Sequence, residues 1–93
     1  MRVGVLRVTF TIHDSGSLKE KRMVMRSVKD RLVARFNISV AEVGSNDLWQ
    51  TGEIGIATVG NDGRFVQSVV DNVRQFLYGD PRISVLEAEA EIL

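Results

Sequence analysis

From residue 2 onward the chain alternates. Leu6, Val8, Phe10 and Ile12 fall on one parity and Arg7, Thr9 and Thr11 on the other, with β-branched residues throughout. A period of two predicts a strand with one face against a core. Val3 and Val5 share the polar parity, so the second face is not cleanly solvated. His13 to Ser17 has loop composition. Ser17-Leu18-Lys19-Glu20 then spells a capping box, in which hydroxyl and carboxylate satisfy the orphan amides of a helix start. Leu18, Met25, Val28, Leu32 and Phe36 recur as one helical stripe, which predicts a helix over 18–36 that Asn37 ends in a left-handed cap.

Strand character returns from Ile38 to Val43, and Gly44-Ser45-Asn46-Asp47 reads as a turn. Leu48 to Val59 is β-rich with apolar residues on both parities (Ile54 and Ile56, Ala57 and Val59), the pattern of a strand covered on both sides. Gly52 and Gly55 within it point to a bulge or a close neighbour. Asn61 or Asp62 caps a second helix, whose broad apolar face holds Phe65, Val69, Val73 and Phe76 beside Val66, Val70 and Leu77, and which Gly79 and Pro81 stop. Arg82 to Leu93 alternates strictly, with Val85, Glu87, Glu89 and Glu91 opposite Leu86, Ala88, Ala90 and Ile92, and that alternation argues strand over the helix propensity of alanine and glutamate. The order β-α-β-β-α-β with right-handed crossovers closes into an α+β, ferredoxin-like sandwich: four antiparallel strands with two helices on one face. Ninety-three residues suit a single domain over 1–93.

Composition narrows the chemistry. With no cysteine and one histidine, His13, the chain has no disulfide scaffold, thiol nucleophile or two-histidine metal site. Apolar runs are too short to cross a bilayer and no signal peptide is evident, so a cytoplasmic location is expected and a membrane partner is not. No phosphate-binding glycine pattern occurs. Neither a metal nor any other cofactor is expected. Asp14, Asp47 and Asp62 lie in separate loops, and no motif ties His13 to a nucleophile, so the chain reads as non-enzymatic.

The formal charge is zero, yet seven of the twelve basic residues lie between Lys19 and Arg35 with only Glu20 and Asp30 among them. On a helix Lys19, Arg22, Arg26 and Lys29 share an arc of about 80° beside the apolar stripe. With Lys21 they form a candidate anion- or nucleic-acid-binding ridge that tracks phosphates without reading bases. The alternative is a solvated polar face whose stems cover apolar surface. Cations in a first helical turn oppose the dipole, which a phosphate held by the amides near Gly16–Lys19 relieves. Trp49 is a candidate partner contact if exposed and a core or dimer-interface aromatic if buried. The outward parity of the first strand lacks the aromatics of an RNA-recognition motif, and nothing points to a reader of DNA sequence. Glu87, Glu89 and Glu91 read as a solvated ladder or edge protector. The sheet face left open by the helices carries Val3 and Val5, an apolar patch that predicts a homodimer, with Arg7 set to pair with a glutamate of the terminal ladder.

Three segments carry a family resemblance: Ser17-Leu18-Lys19-Glu20-Lys21-Arg22, Phe36-Asn37-Ile38-Ser39-Val40-Ala41-Glu42-Val43 and Asp47-Leu48-Trp49-Gln50. Together they resemble the YlxP-like family of small uncharacterised bacterial proteins, essentially end to end. The resemblance implies a ferredoxin-like fold in a bacterial cytoplasmic protein. It also implies a connection to structured RNA or the ribosome, because genes of the family often lie beside those for translation initiation and ribosome maturation. One departure stands out: Thr51-Gly52 replaces the Arg-Ala pair usual after Trp-Gln. Two functions are therefore expected to compete, an RNA- or ribosome-associated binding module and a dimeric structural or ligand-sensing regulatory domain with no nucleic-acid role.

Overall fold

A computed structural model describes residues 1–93. Alternate side chains of Arg2–Ile12 (β1) point into a core, and Leu6, Val8, Phe10 and Ile12 are fully enclosed there. Such burial contributes roughly 1.5–3 kcal/mol per large apolar side chain. The remaining elements are Leu18–Arg35 (α1), Ser39–Gly44 (β2), Thr51–Gly60 (β3), Gly63–Tyr78 (α2) and Ile83–Ile92 (β4). One antiparallel sheet has the order β2-β3-β1-β4, the ferredoxin-like α+β arrangement. Met25, Val28 and Leu32 of α1 and Val70, Val73 and Leu77 of α2 meet Ile54, Ile56 and Ile83 of the sheet in a single core cluster. The two helices share one face of the sheet and leave the other uncovered.

The helices approach closely because the sheet is thin beneath them. A Cβ on Gly4 would lie 2.5 Å from Val66 Cγ1 and 3.0 Å from Val70 Cγ2, so α2 rests directly on the β1 backbone. On Gly52 it would meet the Phe10 ring at 2.6 Å and the Met25 sulfur at 2.7 Å. Gly52 thus has the close neighbours that a glycine inside a strand signals. Between the helices Phe36 and Phe76 pack edge to face, ring centres 5.8 Å apart, with the Arg31 and Arg35 guanidinia over the Phe76 ring at 5.2 and 5.5 Å.

A polar clasp closes the end of this helix layer. Asp80, buried after the end of α2, accepts from Arg82 N at 2.9 Å, Arg82 Nε at 3.1 Å and Arg82 Nη2 at 2.8 Å. It also pairs with Arg31 of α1 at 3.5 Å, while Arg82 Nη1 donates to Ser27 Oγ at 2.9 Å. Hydrogen bonding from Arg82 holds the Asp80 carboxyl below its usual range, against the opposing effect of burial.

Several boundaries differ from the sequence expectation. The helix ends at Arg35 and Phe36 turns to extended backbone (φ −124°), so Asn37 makes no left-handed cap. Asp62 caps α2, its Oδ1 accepting from Arg64 N at 2.9 Å, whereas Gly79 ends that helix at φ −84° without using its conformational freedom. Leu48, Trp49 and Gln50 belong to the β2–β3 connection rather than to the strand. The outward parity of β3 (Glu53, Gly55, Ala57, Val59) has no helix over it, so the strand is covered on one side only. In β4 the pairing runs Thr9 with Glu87 and then Phe10 with Val85. Leu86 is the extra residue of a bulge, which returns Val85 to the core side with Ile83 and leaves Leu86 63% exposed. A single inserted residue inverts every later parity.

Two predictions follow from this packing. Gly4→Ala should lower stability by about 1–3 kcal/mol in chemical denaturation, because the β-branched valines it would strike are stiff at χ1. Asp80 has a folded-state pKa below its unfolded value, so its contribution is present above the ordinary aspartate range and lost as pH falls through the folded value. Asp80→Asn should therefore cost roughly 1–3 kcal/mol at neutral pH, less than a fully dry ion pair because both guanidinia reach water. A pH titration of the unfolding midpoint should show that the cost disappears in acid.

Candidate functional site

The helix α1 has two polar flanks with opposite fates. On one, Ser27, Arg31 and Arg35 engage Arg82, Asp80 and Phe76, so this side faces α2 and the start of β4. On the other lie Lys19, Arg22, Arg26 and Lys29. None of these four enters an ion pair; the first three are exposed and Lys29 is half-buried. Arg22 and Arg26 border a shallow depression of about 590 Å³ with Lys19, the exposed Met23 and Asp30, and it reaches Ser27 and Arg31 of the other flank. The ridge inferred from helical spacing is thus present as free cations beside water.

Lys21 does not belong to it. The structure buries this side chain almost completely, and Nζ donates to Ser45 O and pairs with Glu42 Oε1 at 3.6 Å. The reason is angular: Lys21 precedes Met25 by four residues and Val28 by seven, so its stem runs down the apolar stripe. Assigned with its amide nitrogen toward these acceptors, Asn46 donates to Gly44 O at 3.1 Å and Glu42 Oε1 at 3.2 Å. Ser45 adopts the left-handed conformation at φ 58°, and its carbonyl is the one that takes the ammonium. Glu42, Ser45 and Asn46 thus form a polar latch that the spacing of charges alone did not reveal.

The helix start also departs from expectation. Ser17 Oγ accepts from Glu20 N at 3.1 Å, but the Glu20 carboxylate accepts from Gly16 N at 3.0 Å, one residue before the cap. One of the amides expected to hold a phosphate, Gly16 N, therefore already faces a carboxylate, and Lys21 is buried rather than offered beside it.

Trp49 is 52% exposed and Leu48 53%, so the buried-aromatic reading of Trp49 does not hold in the single chain. Their connection is pinned at both ends: Lys21 holds Ser45, and Ile12 N donates to Gln50 O at 2.8 Å. The first segment thus meets the end of the second and the connection that carries the third, through Lys21, Glu42 and Ser45, while Phe36 lies at the other end of α1. The His13 ring nitrogens contact Pro81 O at 3.0 Å and Ser84 Oγ at 2.7 Å, so it braces the first loop against β4 instead of standing free in solvent.

On the uncovered sheet face Arg7 pairs with Glu53, Nη2 to Oε2 at 2.6 Å and Nε to Oε2 at 3.0 Å, rather than with the terminal ladder. Glu89 stands opposite Arg7 on the other side, and Glu87 and Glu91 face Thr9 and Val5. Sharing a hydrogen bond with Glu89, and standing in its field, raises the Glu87 pKa above the usual value.

Against this geometry the similarity to known proteins can be placed. Residues 3–90 match a family described as "Protein of unknown function (DUF503)". The chain belongs to this family. It is 35% identical over 81 residues to the "Uncharacterized protein YlxP" of Bacillus subtilis (strain 168), a match covering 87% of this chain and 88% of that protein. The YlxP-like resemblance read from the three segments is thereby established for most of the chain. No helix is long and apolar enough to cross a membrane.

Lys21→Ala should cost about 1–3 kcal/mol, since it leaves the Ser45 carbonyl without its donor and takes the ammonium away from the Glu42 carboxylate. Amide exchange should accelerate over residues 44–50, and Trp49 emission should change even under conditions where the rest of the fold stays intact. Unaltered exchange in that connection would show that the latch does not hold it.

Proposed function

We propose that this DUF503 protein is a non-enzymatic, cytoplasmic binding module that engages structured RNA, in the setting of the ribosome, through the outer flank of α1. The observation that carries this reading is the set of cations there with no partner of their own. Lys19, Arg22 and Arg26 stand exposed and the half-buried Lys29 has no ion-pair partner, while Lys21, Arg31 and Arg35 of the same helix are committed to Glu42, Asp80 or an aromatic ring. Three or four such side chains on one helix flank suit a phosphate backbone, where each contact is sequence-independent and weakened by salt. Trp49 and Leu48, held in a pinned connection at the end where α1 begins, supply an aromatic face for an unpaired base. His13 braces the first loop against Pro81 and Ser84, and Asp62 caps α2.

The triple substitution Arg22→Ala, Arg26→Ala and Lys29→Ala should weaken binding to ribosomal RNA fragments similarly across sequences. It should also flatten the dependence of log affinity on log salt by roughly two to three units, at about 0.7–0.9 unit per lost phosphate contact. Folding stability should move by less than about 0.5 kcal/mol per exposed site. Filter binding over a salt series reads both effects. Unchanged affinity and slope would remove this helix from any account of RNA binding.

A further inference from the structure

The side of the sheet away from the helices is not flat. Small outward residues at its centre leave a trough of about 730 Å³ whose floor includes Val5, Ala41, Gly55 and Ala57, with the Arg7 side chain beside them. A Cβ on Gly55 would sit 2.9 Å from Val43 Cγ1, so Val43 folds over the glycine and forms one wall. The other wall is β4, where Glu89 and Glu91 line the trough and Glu87 follows them on the same outward side beyond it. The face as a whole holds four carboxylates, with Glu53, against the single guanidinium of Arg7, and Arg7 is already bonded to Glu53.

This imbalance selects the occupant. A second copy packed face to face would bring a second set of carboxylates and no unpaired cation, so its apolar gain would be opposed by like charge. Nucleic acid is repelled outright. A cationic partner relieves the like-charge crowding between Glu87 and Glu89 that raises the Glu87 pKa. We infer that the trough is a docking surface for an amphipathic helix of another protein, its apolar stripe on the floor and lysines or arginines along one flank against Glu87, Glu89 and Glu91.

Dimensions agree with this occupant. Four strands at about 4.8 Å spacing span roughly 14 Å between the outermost axes, and a helix with side chains is about 10–12 Å across. Alternate residues of a strand repeat every 6.6 Å or so, and helical positions four apart rise about 6 Å, so basic residues at i, i+4 and i+8 match the three glutamates in turn. This surface is separate from the basic flank of α1 and does not depend on the RNA reading.

The test is an amide NMR titration of the full chain with a synthetic helical peptide carrying leucines on one face and lysines at i, i+4 and i+8 of one flank. A counterpart with glutamates in place of the lysines is the control. Shifts should localise to Val5, Ala41, Gly55 and Ala57 and leave α1 unmoved, and the glutamate peptide should not bind. The triple variant Glu87→Gln, Glu89→Gln, Glu91→Gln alters only exposed side chains, so its spectrum should stay dispersed while its affinity for the lysine peptide falls roughly tenfold, the sum of three exposed ion pairs. The proposal is overturned if the shifts fall elsewhere or do not appear, or if the triple variant binds equally well. It is also overturned if light scattering returns twice 10.4 kDa for the free protein and the peptide fails to displace the second copy.

Discussion

With four strands and two helices, apolar burial is complete on one side of the sheet only, and the parity of β1 decides which side that is. Because β1 lies between β3 and β4, its inward residues Leu6, Val8, Phe10 and Ile12 touch the core from the middle and fix the register of both neighbours. A shift of one residue would send all four into water. The close seat of α2 over Gly4, the packing of Met25 over Gly52 and the exposure of the opposite face are consequences of that single choice.

The helix layer shows how a charged residue is spent when its angular position is fixed by packing. Lys21, Arg31 and Arg35 point toward neighbours, and each finds a carboxylate, a carbonyl or an aromatic ring. Lys19, Arg22 and Arg26 point away and find nothing. Unpaired cations cost a fold little while they remain hydrated, but they do not contribute to it either. Their arrangement is therefore free to serve a partner, which is not true of Lys21.

How much of this was legible in the sequence depends on the range of the interaction. The alternation of β1, the stripe of α1 and the broad face of α2 are local periodicities, and they return the elements, their order and most of the core. Ser17 as a cap is equally local. The β4 bulge was not legible, because Leu86 resembles any strand residue and only its pairing with β1 shows it to be supernumerary. The destination of Arg7 was not legible either, since choosing Glu53 over Glu89 requires the geometry of three strands. Lys21 is the instructive case: its position relative to Met25 and Val28 already placed it on the buried stripe, but counting it with its charged neighbours obscured that signal. The burial of a lysine depends on a distant acceptor, here Glu42 and Ser45, which no helical wheel contains.

A net charge of zero conceals a separation that follows from the same layer order. Basic residues free to act collect on the outer flank of α1, within the helix layer, and uncompensated carboxylates collect on the far side of the sheet along β4. The screening length near physiological salt is about 8 Å, comparable to the thickness of one layer, so the two fields do not cancel at their own surfaces. A polyanionic partner of the proposed kind would meet the helix layer, and a cationic one the sheet. The fold therefore offers two faces of opposite sign, back to back, on a chain whose overall charge would suggest indifference to both.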